Sequence, residues 1–333
     1  MCRAPTPDPA TEARRCIVCG ARDWRPAGRT TDPSERYRCS HCGLLVALDA
    51  YDPAALAASL EALLRPGSVA LPRSGWGIDD PAWMDAYTLR IAASGHSLAF
   101  EPGDGSQAAA LAHPHSRHPA RGWLRALAPA PARVALGMIV RASEVDDALG
   151  FVRKLLPRFA EAVIVADGPV ADDALRPGDA IRVLSHPLDG DFGAQRTRVQ
   201  RACRSPWVLQ LDADETPSDS LLDAMDALTA QADRQGLVSI GLTRRNLVDG
   251  EWSDLYPDIQ YRLNRREVVY SGRVHERPDL KGAWRRSMIA PAATLDHALA
   301  RERVERRSRE YEALATGGGR PGDEAALLRP YRP

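Results

Sequence analysis

The 333-residue sequence has no run of about 18 apolar residues, the length a helix needs to cross a bilayer, so no helical membrane span is expected. It also has no excess of either charge. Lys plus Arg and Asp plus Glu both number 44, for a formal net charge of zero. That balance excludes a general basic field holding nucleic acid or an anionic membrane by bulk attraction; any such contact would have to be local. Residues 1–15 are Pro-rich and polar and lack the apolar core of a secretory signal. They read as a disordered N-terminus, with the cytoplasm as the default compartment. No internal repeat is found. The 44% hydrophobic and 26% charged residues are ordinary for a globular protein, and the length allows one large domain or two modest ones.

Cysteine is sparse, but its placement is informative. Four of the six cysteines form two tight pairs, Cys16-Ile-Val-Cys19 and Cys39-Ser-His-Cys42, separated by 19 residues. Zinc prefers four thiolates in a tetrahedron, and each pair can supply two from one turn. Gly20 and Gly43 directly follow the second cysteine of each pair, which suits a tight knuckle. Residues 16–47 therefore read as a zinc ribbon with Cys16, Cys19, Cys39 and Cys42 as ligands. His41 is left out because the four thiolates complete the shell. A closed four-ligand site has no open position for chemistry and serves to fold a segment too small to hold a core. Arg14, Arg15, Arg22, Arg25, Arg29, Arg36 and Arg38 leave a docking role for the ribbon as an alternative to an accessory fold. Cys203 stands apart and reads as a free buried thiol; Cys2 is likewise isolated.

Residues 48–131 are rich in Ala, Pro, Gly and His and show weak periodicity. Ser97-Leu-Ala-Phe-Glu-Pro-Gly-Asp-Gly105 loosely resembles the first cofactor motif of S-adenosylmethionine methyltransferases, so the segment reads as a linker or a degenerate remnant of such a domain. His113, His115 and His118 read as solvated side chains in a Pro-rich loop.

From Arg133 onward, short apolar runs alternate with amphipathic stretches, the pattern of a βαβ sheet. Strands are expected at 134–140, 162–166, 181–184, 207–211 and 237–242, and a helix from Phe192 to Cys203. Ser143 is expected to cap a helix, with Asp146 completing a capping box. Thr216-Pro217 is expected to open another helix, Pro suiting its first turn. The strand Trp207-Val-Leu-Gln-Leu211 ends on Asp212-Ala213-Asp214-Glu215. Carboxylates at the C-terminal edge of a parallel sheet sit where open α/β folds bind ligands. Two Asp one residue apart on an irregular turn can both reach one Mg²⁺ or Mn²⁺, which prefers oxygen ligands and would bridge a substrate's diphosphate.

Together, Leu136-Gly-Met-Ile-Val-Arg-Ala-Ser-Glu144, Val163-Ile-Val-Ala-Asp-Gly168, Gly190-Asp-Phe-Gly-Ala-Gln-Arg196 and Trp207-Val-Leu-Gln-Leu-Asp-Ala-Asp-Glu215 follow the order and spacing of the family 2 glycosyltransferases. Tyr256-Pro-Asp-Ile-Gln-Tyr-Arg-Leu263 with Gly272-Arg-Val-His-Glu276 is similar to a second signature of one bacterial branch, that of the lipopolysaccharide core β-glucosyltransferases and peptide S-glycosyltransferases. The resemblance spans about residues 133–315. It implies a GT-A fold, an α/β Rossmann-like domain with a mostly parallel sheet, over 132–315, followed by a flexible tail at 316–333. It implies inverting transfer of a sugar, of hexosyl type, from a nucleotide-diphosphate donor, a UDP-sugar by expectation, to a glycan, lipid-linked glycan or peptide, with Mn²⁺ or Mg²⁺ assistance. By this resemblance Val140, Arg141 and Glu144 line the nucleoside pocket and Asp167 binds base or ribose. Asp191 and Arg196 support the phosphates. Asp212 contacts ribose or metal, and Asp214 is the principal metal ligand, with His275 or His297 completing the shell. Glu276, and after it Asp258, is the candidate base. No nucleic-acid partner is expected; peripheral contact with the inner membrane is left open.

Each role has a plainer alternative. Glu144 would sit in a helix's first turn, Asp167 in a turn, Glu276 and His275 in a local ion pair, and Arg262 and Arg265 among solvated surface charges. The chain also departs from the family pattern. Arg141-Ala-Ser-Glu144 replaces a Lys-Asn-Glu-Glu-like run, Gly168-Pro-Val-Ala-Asp172 replaces a hydroxyl-bearing turn, and Thr197 replaces an Asn. These changes bear on donor choice and catalytic strength. They keep a nucleotide-binding pseudoenzyme and a zinc-ribbon docking protein as alternatives. Arg301 to Tyr311 reads as an Arg/Glu-rich helix that covers the site, contacts an anionic acceptor or, as the default, forms a solvated face.

Overall fold

The computed structural model describes residues 14–27, 36–47, 52–71, 82–112, 119–128, 130–131, 133–170, 180–273, 276–280, 284–314 and 321–332. His113, His115, His118, Asp172 and His275 lie outside them, as do Cys2 and most of the expected disordered N-terminus. The chain divides into two compact units, Met1–Leu127 with Pro333, and Ala128–Arg332. Among the described residues no helix is long and apolar enough to cross a membrane.

The first unit runs β1 (Trp24–Pro26), β2 (Arg36–Cys39), β3 (Leu45–Ala47), α1 (Pro53–Leu63), β4 (Gly67–Ala70), β5 (Ala82–Trp83), α2 (Ala86–Ser94), β6 (Leu98–Pro102), α3 (Gly105–Ala110) and β7 (Arg121–Ala126). The region expected as linker or remnant thus carries regular structure. β5 pairs antiparallel with β3, and β4, β7 and β6 form a separate antiparallel sheet. An aspartate caps each helix, since its carboxylate satisfies amides left without intrahelical partners. Asp52 accepts from Ala54 and Ala55, Asp85 from Thr88, and Asp104 from Ser106 and Gln107. Asp104 also pairs with Arg121 at 2.6 Å. The Gly103-Asp104-Gly105 stretch therefore lies between β6 and α3 and starts that helix. Every residue of α2 is buried, and the Thr88 hydroxyl donates to the Cys42 carbonyl at 2.9 Å, tying this helix to the second cysteine knuckle.

The second unit runs β8 (Val134–Arg141), α4 (Val145–Leu155), β9 (Glu161–Asp167), β10 (Ile181–Ser185), α5 (Phe192–Ala202), β11 (Trp207–Leu211), β12 (Glu215–Pro217), α6 (Asp219–Arg234), β13 (Ser239–Val248), β14 (Glu251–Trp252), β15 (Asp258–Arg265), β16 (Val269–Ser271), β17 (Arg277–Asp279), β18 (Ser287–Leu299), α7 (Arg301–Leu314) and α8 (Pro321–Leu327). It is a mixed α/β fold around one large sheet, in the order β10-β9-β8-β11-β15-β13-β18-β12, with β14 attached to β13. The first four strands in that order are parallel. All side chains of β11, and all but the last of β9, are buried, as expected of strands covered on both faces. Gly137 of β8 lets α5 approach: a Cβ there would lie 2.3 Å from a Val199 methyl carbon.

Three local expectations are corrected. A 3₁₀ turn at Ala142–Glu144 precedes α4, and Glu144, not Ser143, closes the start by accepting from the Arg141 amide at 3.2 Å. Thr216 and Pro217 belong to β12, which pairs with β18, and Ser218 caps α6. The expected flexible tail contains α8 and a docked end within this unit. Tyr331 stacks on Trp252 with ring centroids 3.7 Å apart, and its amide donates to the Trp252 carbonyl at 2.7 Å. Leu327 and Leu328 pack on Val248, Leu299 and Val304.

Candidate active site

The parallel strands define where a ligand fits. From β8 the chain moves outward through β9 to β10, then returns through α5 to place β11 on the other flank of β8. The connections on either side of β8 leave in opposite directions, and the carboxyl ends of strands at such a point are where open α/β sheets place a ligand crevice. Val140 and Arg141 end β8, with Arg141 in register with Asp167 at the end of β9. Asp212 follows β11 directly. Val140 is buried, while Arg141 is exposed and its guanidinium lies 3.6 Å from Glu144. Asp167 accepts from the Leu188 amide at 2.8 Å, holding the loop after β10 against the crevice. Asp191 caps α5, accepting from Ala194 at 2.8 Å. Its local role is thus structural.

Beneath the crevice lies a network of arginines and carboxylates that the sequence did not reveal. Arg196, from α5, donates to Asp212 Oδ1 at 2.6 Å and, through Nε, to Glu276 Oε1. Arg262, from β15, reaches Asp212 Oδ2 at 2.5 Å, Glu215 Oε1 at 3.2 Å and Glu276 Oε1 at 3.6 Å. Arg244, from β13, pairs with Glu215 Oε1 at 3.0 Å and Asp258 Oδ2 at 2.6 Å. The side chains of Arg196 and Arg262 are 3% and 7% exposed, so Arg262 is not the solvated charge considered above. Burial disfavours the charge of Asp212, but Arg196 and Arg262 overcome it and hold the carboxyl far below its usual range. Glu276 is lowered in the same way, burial opposing and Arg196 and Arg262 prevailing. Asp258 is brought down to about 2, burial again opposing while Arg244, Asn246 and Gln260 prevail.

Both oxygens of Asp212 are engaged, whereas Asp214 stands differently. Its backbone carbonyl accepts from Ala298 at 3.0 Å, anchoring the acidic turn to β18. Its Oδ2 is buried, makes no hydrogen bond of good geometry among the described residues, and lies 3.5 Å from His297 Nε2 and 2.9 Å from the Arg303 guanidinium. The orientation of that ring follows from its other nitrogen. Asn246 donates to the Leu255 carbonyl and Asp258, so its Oδ1 faces His297 Nδ1 at 2.7 Å. Nδ1 therefore donates to Asn246, which leaves Nε2 turned toward Asp214. A carboxylate oxygen and an imidazole nitrogen at that separation can share a ring proton or a cation. The chemistry of this pair fits a divalent ion, with one carboxylate oxygen and one imidazole nitrogen.

The segment leading to Glu276 is seated by a close approach. A Cβ on Gly193 would lie 2.7 Å from the Gly272 carbonyl, so glycine lets α5 press against this loop. The Gly193 amide donates to that carbonyl at 3.2 Å. His275 lies outside the described residues, so His297 is the expected histidine seen at the acidic turn.

In the first unit, Cys16, Cys19, Cys39 and Cys42 are buried, their sulfurs all within 4.8 Å of one another. Cys16 and Cys42, and Cys19 and Cys39, are 3.5 Å apart, too far for disulfides and near the edge of about 3.8 Å in a tetrahedron with Zn–S of about 2.3 Å. The two knuckles are alike. Gly20 donates to Cys16 at 2.7 Å and Gly43 to Cys39 at 3.0 Å, both glycines at positive φ. Cys203 is a buried free thiol in the second unit, pushed up to about 12 chiefly by burial.

No known family model matches the chain. Among solved structures it is similar to Staphylococcus aureus TarS, at 12% identity over 59% of this chain and 42% of that one, with a TM-score of 0.34. The S. aureus TarS 1–349 fragment matches at 13% identity over 59% of this chain and 69% of that one, TM-score 0.35. The same fragment in complex with UDP matches at 12% identity with the same coverage and a TM-score of 0.31. The chain thus spans less than half of the longer TarS chain. The likeness is loose at these scores, and the chemistry is carried by the residues of this chain.

Proposed function

We propose that the chain is an inverting glycosyltransferase of GT-A fold that takes a sugar from a nucleotide-diphosphate donor, a UDP-sugar by preference, with the help of a divalent cation. The observation that carries this reading is the pairing of Asp214 Oδ2 with His297 Nε2 beside a crevice at the carboxyl ends of β8 and β11. The order of motifs along residues 133–315 supports it.

In this reading Val140, Arg141, Glu144 and Asp167 line the nucleoside end of the crevice. Arg196 and Arg262 hold Asp212 rigidly at the ribose, so Asp212 acts as a fixed acceptor rather than as a metal ligand. Asp214 and His297 would hold Mn²⁺ or Mg²⁺, which supplies Lewis-acid neutralisation of the leaving diphosphate. The acceptor hydroxyl needs a carboxylate base that stays charged at neutral pH. Glu276 is the better placed of the two candidates. Both arginines bind its Oε1 and leave Oε2 outside the network, whereas both oxygens of Asp258 are engaged. Direct displacement on an α-linked donor would yield a β-linked product. The acceptor is a glycan, lipid-linked glycan or peptide.

The four cysteines would hold a structural zinc in an accessory ribbon, and the protein would act in the cytoplasm.

The test is a thermal-shift screen of UDP-, GDP-, dTDP- and CMP-sugars with and without Mn²⁺. A Mn²⁺-dependent shift with one nucleotide class, lost in Asp214→Ala, is expected. No shift with any of them would instead favour a pseudoenzyme whose altered first two motifs have lost the donor pocket.

A further inference from the structure

Arg303, which no sequence motif singled out, approaches the proposed cation site from the helix that follows β18. Its NH1 lies 2.9 Å from Asp214 Oδ2 but outside hydrogen-bonding geometry. Asp214 is largely buried, with 16% of its side chain exposed, whereas Arg303 is 47% exposed. The guanidinium thus reaches in from solvent to a buried carboxylate. Its backbone is well anchored. Arg301 donates its amide to Asp249 Oδ1 at 3.1 Å, and Val304 is buried against Val248 and Leu299. The helix start is fixed, while the half-exposed Arg303 side chain borders solvent.

Asp214 Oδ2 therefore has two neighbours, the Nε2 of His297 and the cationic head of Arg303. A divalent cation held by Asp214 and His297 would share the oxygen that Arg303 now neutralises, and two like charges on one buried oxygen repel. The long stem would let Arg303 withdraw, and a donor diphosphate held by such a cation would offer it anionic oxygens. Guanidinium groups recognise phosphate oxygens well.

Building on the glycosyltransferase reading, we propose that Arg303 is an exchanging counter-charge. It neutralises Asp214 in the cation-free site and moves to the donor's diphosphate when cation and nucleotide bind, adding a protein-borne positive charge at the leaving group. The two halves of this role carry opposite signs. Removing Arg303 relieves competition for the cation but weakens the grip on the diphosphate.

The test compares wild-type, Arg303→Ala and Arg303→Lys full-length protein. Mn²⁺ alone is titrated by electron paramagnetic resonance, and the tightest of UDP, GDP and dTDP is titrated by calorimetry in saturating Mn²⁺. Arg303→Ala is expected to bind Mn²⁺ alone several-fold more tightly, and the nucleotide about tenfold more weakly, the loss of one charge-assisted contact. Arg303→Lys should fall between on both scales. If wild type binds Mn²⁺ and nucleotide but Arg303→Ala leaves either affinity unchanged, or weakens both, the exchange is overturned and the glycosyltransferase reading stands. If wild type binds neither, both fall.

Discussion

Arg196 Nη2 donates to Asp212 Oδ1 at 2.6 Å from a side chain that is only 3% exposed, fastening the middle of α5 to the end of β11. Its Nε binds Glu276 and its NH1 lies 3.4 Å from Gln210, so one side chain links the helix, the central strand and the loop before β17. Burying a guanidinium is costly, and the arrangement holds only because each charge is met.

Arg196→Ala should therefore be among the most destabilising single changes in the second unit. It leaves Asp212 and Glu276 buried with only Arg262 between them. Breaking a buried ion pair in this way typically costs about 3–5 kcal/mol. Urea unfolding should show that loss, and Arg196→Lys should recover little, because an ammonium lacks the fork that reaches both carboxylates. A midpoint close to wild type in Arg196→Ala would mean the network is not integral to the fold.

Acid should weaken the same region in a defined window. The carboxyl of Asp258 is lowered to about 2 in the folded chain, its burial outweighed mainly by Arg244. A depressed folded value contributes stability that is fully present above the unfolded value, near 4, and is lost as pH falls toward 2. The shift corresponds to about 2 kcal/mol. Unfolding free energies measured from pH 5 to pH 2 should fall by about that much more in wild type than in Asp258→Asn. Parallel pH profiles would remove Asp258 from the account.

These buried pairings explain how far the sequence could be read. The strands β8, β9, β10 and β11 and the helix α5 announced themselves through local periodicity, and Asp212 and Asp214 through their place at a strand end. Arg262 did not, because its partner Asp212 lies 50 residues away and no local pattern marks a guanidinium for burial. Arg196 and Glu276 were named through the family motifs, but their pairing across 80 residues was not legible. The helix α2 was missed for another reason. It is buried on every side and so has no apolar stripe to set against a polar one. Pro217 misled because proline suits both a helix's first turn and a short strand, and only the pairing of β12 with β18 decides between them. The docked end at Tyr331 depends on Trp252, far back in the chain, and reads as tail without it.

Asn246 should matter to cation binding although it would not touch the ion. Its Oδ1 holds His297 Nδ1 at 2.7 Å and so turns Nε2 toward Asp214. Groups that orient a metal-binding histidine typically carry about tenfold or more in affinity. Asn246→Ala should weaken Mn²⁺ binding by that factor, measured by electron paramagnetic resonance, with a folded circular dichroism spectrum. Asn246→Asp should restore part of the loss, because a carboxylate accepts from the same nitrogen. Full Mn²⁺ affinity in Asn246→Ala would show that the ring needs no such support.

The four cysteines make a prediction that is independent of the nucleotide site. Purified protein should carry one zinc per chain by elemental analysis, since four sulfurs within 4.8 Å fill one tetrahedral shell. The strands around them are three or four residues long and can bury little apolar surface of their own, so the ion must supply much of the local stability. Chelation, or the double change Cys39→Ser with Cys42→Ser, should then open the first unit to proteolysis near residues 14–47. The Thr88 hydrogen bond to Cys42 should carry the disturbance into α2, which has no exposed face on which to remain folded alone. A Mn²⁺-dependent nucleotide shift should survive in the Cys39→Ser, Cys42→Ser protein, because its residues all belong to the second unit. Loss of that shift would mean the ribbon contributes to donor binding as well as to the fold of its own unit.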